Sequence, residues 1–215
     1  MHQNENAADP ATMLELMRAQ RRRTQQWTMR NYVLMLVIWA AAWAVGFLAV
    51  WSAEATGGSP WPRIPQPVAW SVFGVVILGA IVFSIVAGIR SGAGVRGPSR
   101  LSGMLYGWSW SVSMVGAWLL LTALQRTGLP PEALSLLSPA IFILLVGVLY
   151  LTGGALWRSP VQFALGIVMI LTAVAATFAG APAHHLIYAT VGPVAMLVVA
   201  VLLARGIISA EEAER

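Results

Sequence analysis

The stretch 159–204, SPVQFALGIVMILTAVAATFAGAPAHHLIYATVGPVAMLVVAVLLA, runs for 46 residues without one Asp, Glu, Lys or Arg. As a single helix it would be about 69 Å long, more than twice the roughly 30 Å hydrocarbon core of a bilayer. Gly180-Ala181-Pro182-Ala183 is the natural place to fold it, so the stretch predicts a hairpin of two spans. Four further uncharged runs, 31–53, 64–89, 101–125 and 133–157, each have the length of one span. The sequence thus predicts an all-α polytopic membrane protein, a bundle of six transmembrane helices at 32–52, 68–89, 103–124, 134–154, 161–180 and 184–204.

Composition agrees. The 215 residues are 58% hydrophobic and 10% charged, with a mean hydropathy of +0.75, and no segment outside the spans is long enough for a core of its own. All thirteen basic residues besides histidine are arginine. Six spans put Arg18, Arg21, Arg22, Arg23, Arg30, Arg90, Arg96, Arg100, Arg158, Arg205 and Arg215 on one side and only Arg63 and Arg126 on the other. By the positive-inside rule both termini are expected in the cytoplasm, in an inner (plasma) membrane. The net charge of +5 then points to acidic lipid headgroups and not to nucleic acid. The absence of cysteine excludes disulfides, thiolate metal sites and cysteine nucleophiles. Some 30 polar residues precede a first apolar run of full span length, which argues against a cleaved signal peptide.

Three regions follow: a cytoplasmic leader at 1–31, the membrane domain at 32–204 and a cytoplasmic tail at 205–215. Within the leader, residues 1–11 are polar, and Thr12-Met13-Leu14-Glu15 reads as a capping box with Thr12 as N-cap. The segment 13–29 is expected to be a basic amphipathic helix, lying on the cytoplasmic membrane surface or continuing straight into the first span. The outer loop 53–67 carries four prolines and predicts an extended strap with Trp61 at the headgroups. The inner loop 90–102 is short and rich in Gly, Ser and Arg.

Candidate chemistry is sparse. The six predicted spans contain no Asp, Glu, Lys or Arg, whereas ion-coupled transport and intramembrane catalysis ordinarily need ionisable groups near the midplane. The reading is therefore a non-enzyme with no catalytic residue, no cofactor and no metal. His184-His185 opens the last span, but adjacent helical residues point about 100° apart, and no Asp, Glu or Cys lies close in sequence. The pair is expected to be polar and interfacial. Gly103 and Gly107 form a GxxxG step, with Ser102, Tyr106, Ser109 and Ser113 on a polar stripe, and Ala80, Ser84 and Gly88 make a matching stripe on span 2. These faces fit packing of spans 2 and 3, a subunit interface or a weakly polar path. Trp39 and Trp43, four apart in mid-span, are candidates for an apolar pocket or for plain packing. Pro139 and Pro193 are expected to free backbone carbonyls.

Gly97-Pro98-Ser99-Arg100, Met104-Leu105-Tyr106-Gly107-Trp108-Ser109-Trp110 and Leu149-Tyr150-Leu151-Thr152-Gly153-Gly154-Ala155-Leu156-Trp157, behind an arginine-rich leader, resemble a group of uncharacterised actinobacterial six-span membrane proteins, often labelled as transporters or ABC-transporter permeases. The resemblance implies a permease-like subunit for apolar or amphiphilic cargo. It also implies a separate cytoplasmic ATPase, because this chain has no GxxxxGK[ST] loop. The layout is also similar to the membrane half of an ABC-2-type exporter, without a clear coupling helix in loop 90–102. The alternative is a regulatory or scaffolding protein that binds another membrane protein, or further copies of itself, through its small-residue faces.

Overall fold

A computed structural model describes residues 10–55, 63–92 and 98–208. They form α1 (Pro10–Glu54), α2 (Gln66–Gly92), α3 (Pro98–Gln125), α4 (Pro131–Leu156), α5 (Pro160–Ala179) and α6 (Ala183–Ala204), and no strand occurs among them. All six are long and apolar enough to cross a membrane. Apart from the leader part of α1, each helix exceeds or shifts its predicted span by only a few residues.

Helix starts follow local chemistry. Helices α4 and α5 begin at proline, whose fixed φ and missing N–H suit the first helical position. At α5 the Ser159 hydroxyl also accepts from the Gln162 amide at 3.4 Å. The α1 start corrects one expectation. Helix begins at Pro10, so Thr12 lies inside the first turn and the capping box does not form. The leader takes the second of its two expected forms, one uninterrupted 45-residue helix that continues into the first span. Of the proline-rich strap, 56–62 lies outside the described residues, as do 1–9, 93–97 and the tail from 209.

The helices pack in the order α2–α1–α6–α5–α4–α3. Sequence neighbours α2 and α3 thus stand at opposite ends of the row, each held along one side. Only 11% of either span is buried, against 39% for α1 and α6. Their outward faces carry Val75, Leu78, Ile89, Trp108, Val112 and Trp118, all more than half exposed. The core lies between α1, α4, α5 and α6, around Leu36, Trp43, Phe47, Ile143, Met169, Tyr188 and Met196.

Small residues set the closest helix approach, as expected where no hydrophobic force separates protein from lipid. The glycines that do this are not the predicted ones. On α4 and α5, a Cβ at Gly154 would lie 2.6 Å from the Phe163 amide nitrogen, and one at Gly166 would lie 2.7 Å from that of Leu151. On α6, a Cβ at Gly192 would meet the Trp43 ring at 2.8 Å. Large side chains at these points would drive backbones apart.

Candidate functional site

The candidate site is a buried polar cluster at the end of the bundle where α1 finishes and α4 and α6 begin. Gly180, in the left-handed region at φ 71°, ends α5, and the short turn through Pro182 swings the first turn of α6 into the protein. His184, His185 and Tyr188 are there 0%, 2% and 0% exposed. The sequence reading placed the two histidines at the membrane interface. Whatever their depth, α1 and α4 cover the first turn of α6, so both rings are enclosed by protein.

Each histidine meets a different helix. Pro139 has no N–H to offer the carbonyl four residues back, which is that of Ser135. His184 Nε2 lies 3.2 Å from this carbonyl oxygen. A carbonyl can only accept, so Nε2 is the protonated nitrogen of His184 in this contact. The proline was legible in the sequence as a source of a free acceptor; its user was not. His185 Nε2 lies 3.2 Å from Glu54 Oε2, off the line of a hydrogen bond, so the contact is a charge pair whenever His185 carries a proton. Glu54, assigned from sequence to the outer loop, is the last residue of α1 and its side chain is only 23% exposed.

Aromatic rings close the cluster. The two imidazole centroids are 3.8 Å apart, Phe47 stacks on His185 at 6.0 Å, and Tyr188 meets His184 edge-on at 6.0 Å. Four buried atoms lack hydrogen-bond partners: His184 Nδ1, His185 Nδ1, His185 Nε2 and the Tyr188 hydroxyl. Ionisable and polar groups buried within a membrane protein mark candidate functional sites. Among the described residues no group of three or more His, Cys, Asp or Glu is arranged to hold a metal ion.

At the opposite end a second polar contact ties α3 to α4. The Tyr106 hydroxyl donates to the Leu149 carbonyl at 2.6 Å and accepts from Gln162 Nε2 at 3.4 Å. Its ring packs edge-on against Trp157 at 4.6 Å, and Trp110 does the same with Tyr150 at 5.7 Å.

The candidate packing face divides. Among the described residues spans 2 and 3 share no substantial interface, and Cβ atoms added at Gly88, Gly103 and Gly107 would meet nothing within 4 Å. Tyr106 and Trp110 face α4, and Gly103 and Gly107, which flank them on the helix, are left exposed. Ser109 is exposed and donates to its own helix at the Leu105 carbonyl, while Ser113 is half-buried. On α2, Ala80 is buried, and the Ser84 hydroxyl accepts from the Trp39 indole N–H at 2.9 Å. Ala80 and Ser84 thus pack on α1, and Gly88 does not.

Trp43 belongs to the buried core, and the partly buried Trp39 packs against it. Trp43 is 4% exposed, edge-on to Phe47 at 6.0 Å and against Gly192. An open apolar groove of about 420 Å³ lies along the start of α2, lined by Pro67, Val68, Ser71, Val72, Val75 and Val76.

Comparisons with known proteins name no relative: no family model, curated protein or solved structure matches this chain.

Proposed function

We propose that this chain is a non-enzymatic membrane subunit of a transport system, permease-like for apolar or amphiphilic cargo and dependent on a separate ATPase. The observation that carries the reading is the unclosed row of helices. The edge helices α2 and α3 are held on one side only, and Gly74, Gly79 and Gly88 on α2 and Gly103, Gly107 and Gly116 on α3 have nothing within 4 Å. Such faces suit close approach by another membrane helix, from a partner subunit or a second copy. The arginine asymmetry supports a plasma-membrane orientation with both termini in the cytoplasm.

The test is affinity purification from native membranes in mild detergent. Recovery of a nucleotide-binding ATPase in stoichiometric amount is the expected result; recovery of the chain without one overturns it.

One observation favours a second reading, a regulatory or scaffolding protein. On the arginine-rich side, α2 and α3 are separated by residues 93–97 alone, and α4 and α5 by 157–159. Connections that short leave no room for a separate coupling helix to an ATPase. Recovery of another membrane protein with no ATPase would favour this reading.

A further inference from the structure

The buried polar atoms left without partners are not scattered. Among the described residues all four belong to His184, His185 and Tyr188, within the first two turns of α6, while the other buried polar side-chain atoms have partners. Unmet groups concentrated in one place call for an explanation, and a proton supplies it for one of them, His185 Nε2 beside Glu54.

The chemistry of the cluster favours a single proton. A partly buried Glu54 carboxylate in low dielectric needs a positive partner, and the group at hand is the His185 imidazole, 3.2 Å away. His185 in turn lies against His184, with ring centroids 3.8 Å apart. Two charged imidazoles at that separation repel strongly, and one carboxylate offsets only one of them. Other titratable groups do not change this balance. On α4, Glu132 is exposed, with its backbone carbonyl accepting the Ser135 hydroxyl. From α5 comes no titratable residue, and α6 itself adds Tyr188. Arg63 and Arg126, on the same side, are exposed.

We propose that Glu54, His185 and His184 form one proton-binding site, which takes a single proton from the aqueous phase on its side and holds it as an ion pair between α1 and α6. With the proton bound, the end of α1 is tied to α6, and His184 ties α6 to α4 through the Ser135 carbonyl. Without it, the Glu54 carboxylate loses its counter-charge and turns to water, and the end of α1 parts from α6, while neutral His184 keeps its hold on the Ser135 carbonyl. Groups coupled this closely titrate as a unit and not as separate residues.

The chain has three histidines, so a His2→Ala variant leaves the pair alone to be seen. Ring-nitrogen NMR of ¹⁵N-histidine protein in lipid nanodiscs, from about pH 4 to pH 8, should show one proton taken up by the pair, with both residues' signals moving together. Glu54→Gln should move that midpoint by about one pH unit or more, a tenfold change in proton affinity. Two independent one-proton transitions unmoved by Glu54→Gln would overturn the proposal, as would no uptake at all. If Glu54→Gln fails to fold, His184→Gln carries the test: the His185 midpoint should shift by a similar amount, and an unchanged midpoint refutes the coupling.

Discussion

Replacing Gly166 by alanine adds one methyl group where α4 and α5 already touch backbone to backbone. The new Cβ would stand 2.7 Å from the Leu151 amide nitrogen and 2.8 Å from the Gly147 carbonyl oxygen. Ordinary contact begins at 3.4 Å, so the helices must part locally by about 0.7 Å. Neither neighbour is a flexible side-chain tip, so the strain cannot be relieved by a rotamer change. Overpacking of this kind costs about 1–3 kcal/mol. The better helix propensity of alanine returns up to about 1 kcal/mol. The expected net loss is about 1–2 kcal/mol. Gly107→Ala is the matched control, since a Cβ there meets nothing within 4 Å and only the propensity gain applies. Equilibrium unfolding in mixed micelles, followed by tryptophan fluorescence, measures both. Gly166→Ala should fall below the wild type and Gly107→Ala should match or exceed it. Equal stability of the two variants, or the reverse order, would refute the packing argument.

Other expectations follow from the same contacts. Tyr106→Phe removes the hydroxyl that donates to the Leu149 carbonyl and should cost about 0.5–1.5 kcal/mol in the same unfolding assay; faster hydrogen exchange should be confined to α3 and the adjoining end of α4. Trp43→Ala should cost about 3–5 kcal/mol, because it empties the core beside Gly192. Trp39→Phe loses only the indole bond to Ser84 and should cost about 1 kcal/mol, so similar losses at both positions would count against the burial difference. The chain has no cysteine, so Arg63→Cys and Gly92→Cys can each be labelled alone with an impermeant maleimide. They should react from opposite sides of the membrane; labelling from one side would contradict six spans.

What the sequence made legible follows from where its physics is local. Span count rests on charge exclusion from hydrocarbon, a property of each segment alone, and the 46-residue run does resolve into α5 and α6 around Gly180. Glu54 shows where segment reasoning fails. A charge is assigned to a loop by its neighbours in sequence, yet α1 continues to include it, and α6 covers it from 131 residues further along. Helix contacts were less legible because GxxxG marks an α-helical face without saying which helix meets it. Gly103 and Gly107 fit that pattern and face outward, whereas the contacts of α4 with α5 use Gly147 and Gly154, seven apart, and Gly166. A seven-residue glycine spacing was the available signal. Pro139 was read correctly as freeing a carbonyl, but its pairing with His184 depends on the α4–α6 arrangement, which no local pattern encodes.

The proposed function requires that another membrane protein cover the outward faces of α2 and α3. A photocrosslinking amino acid placed at Val75 on α2, at Gly107 on α3 and at Phe178 on α5, which is 90% exposed, reads this directly in native membranes. Protein adducts at Val75 and Gly107, with lipid adducts alone at Phe178, are the predicted result. Lipid adducts alone at all three positions would contradict it.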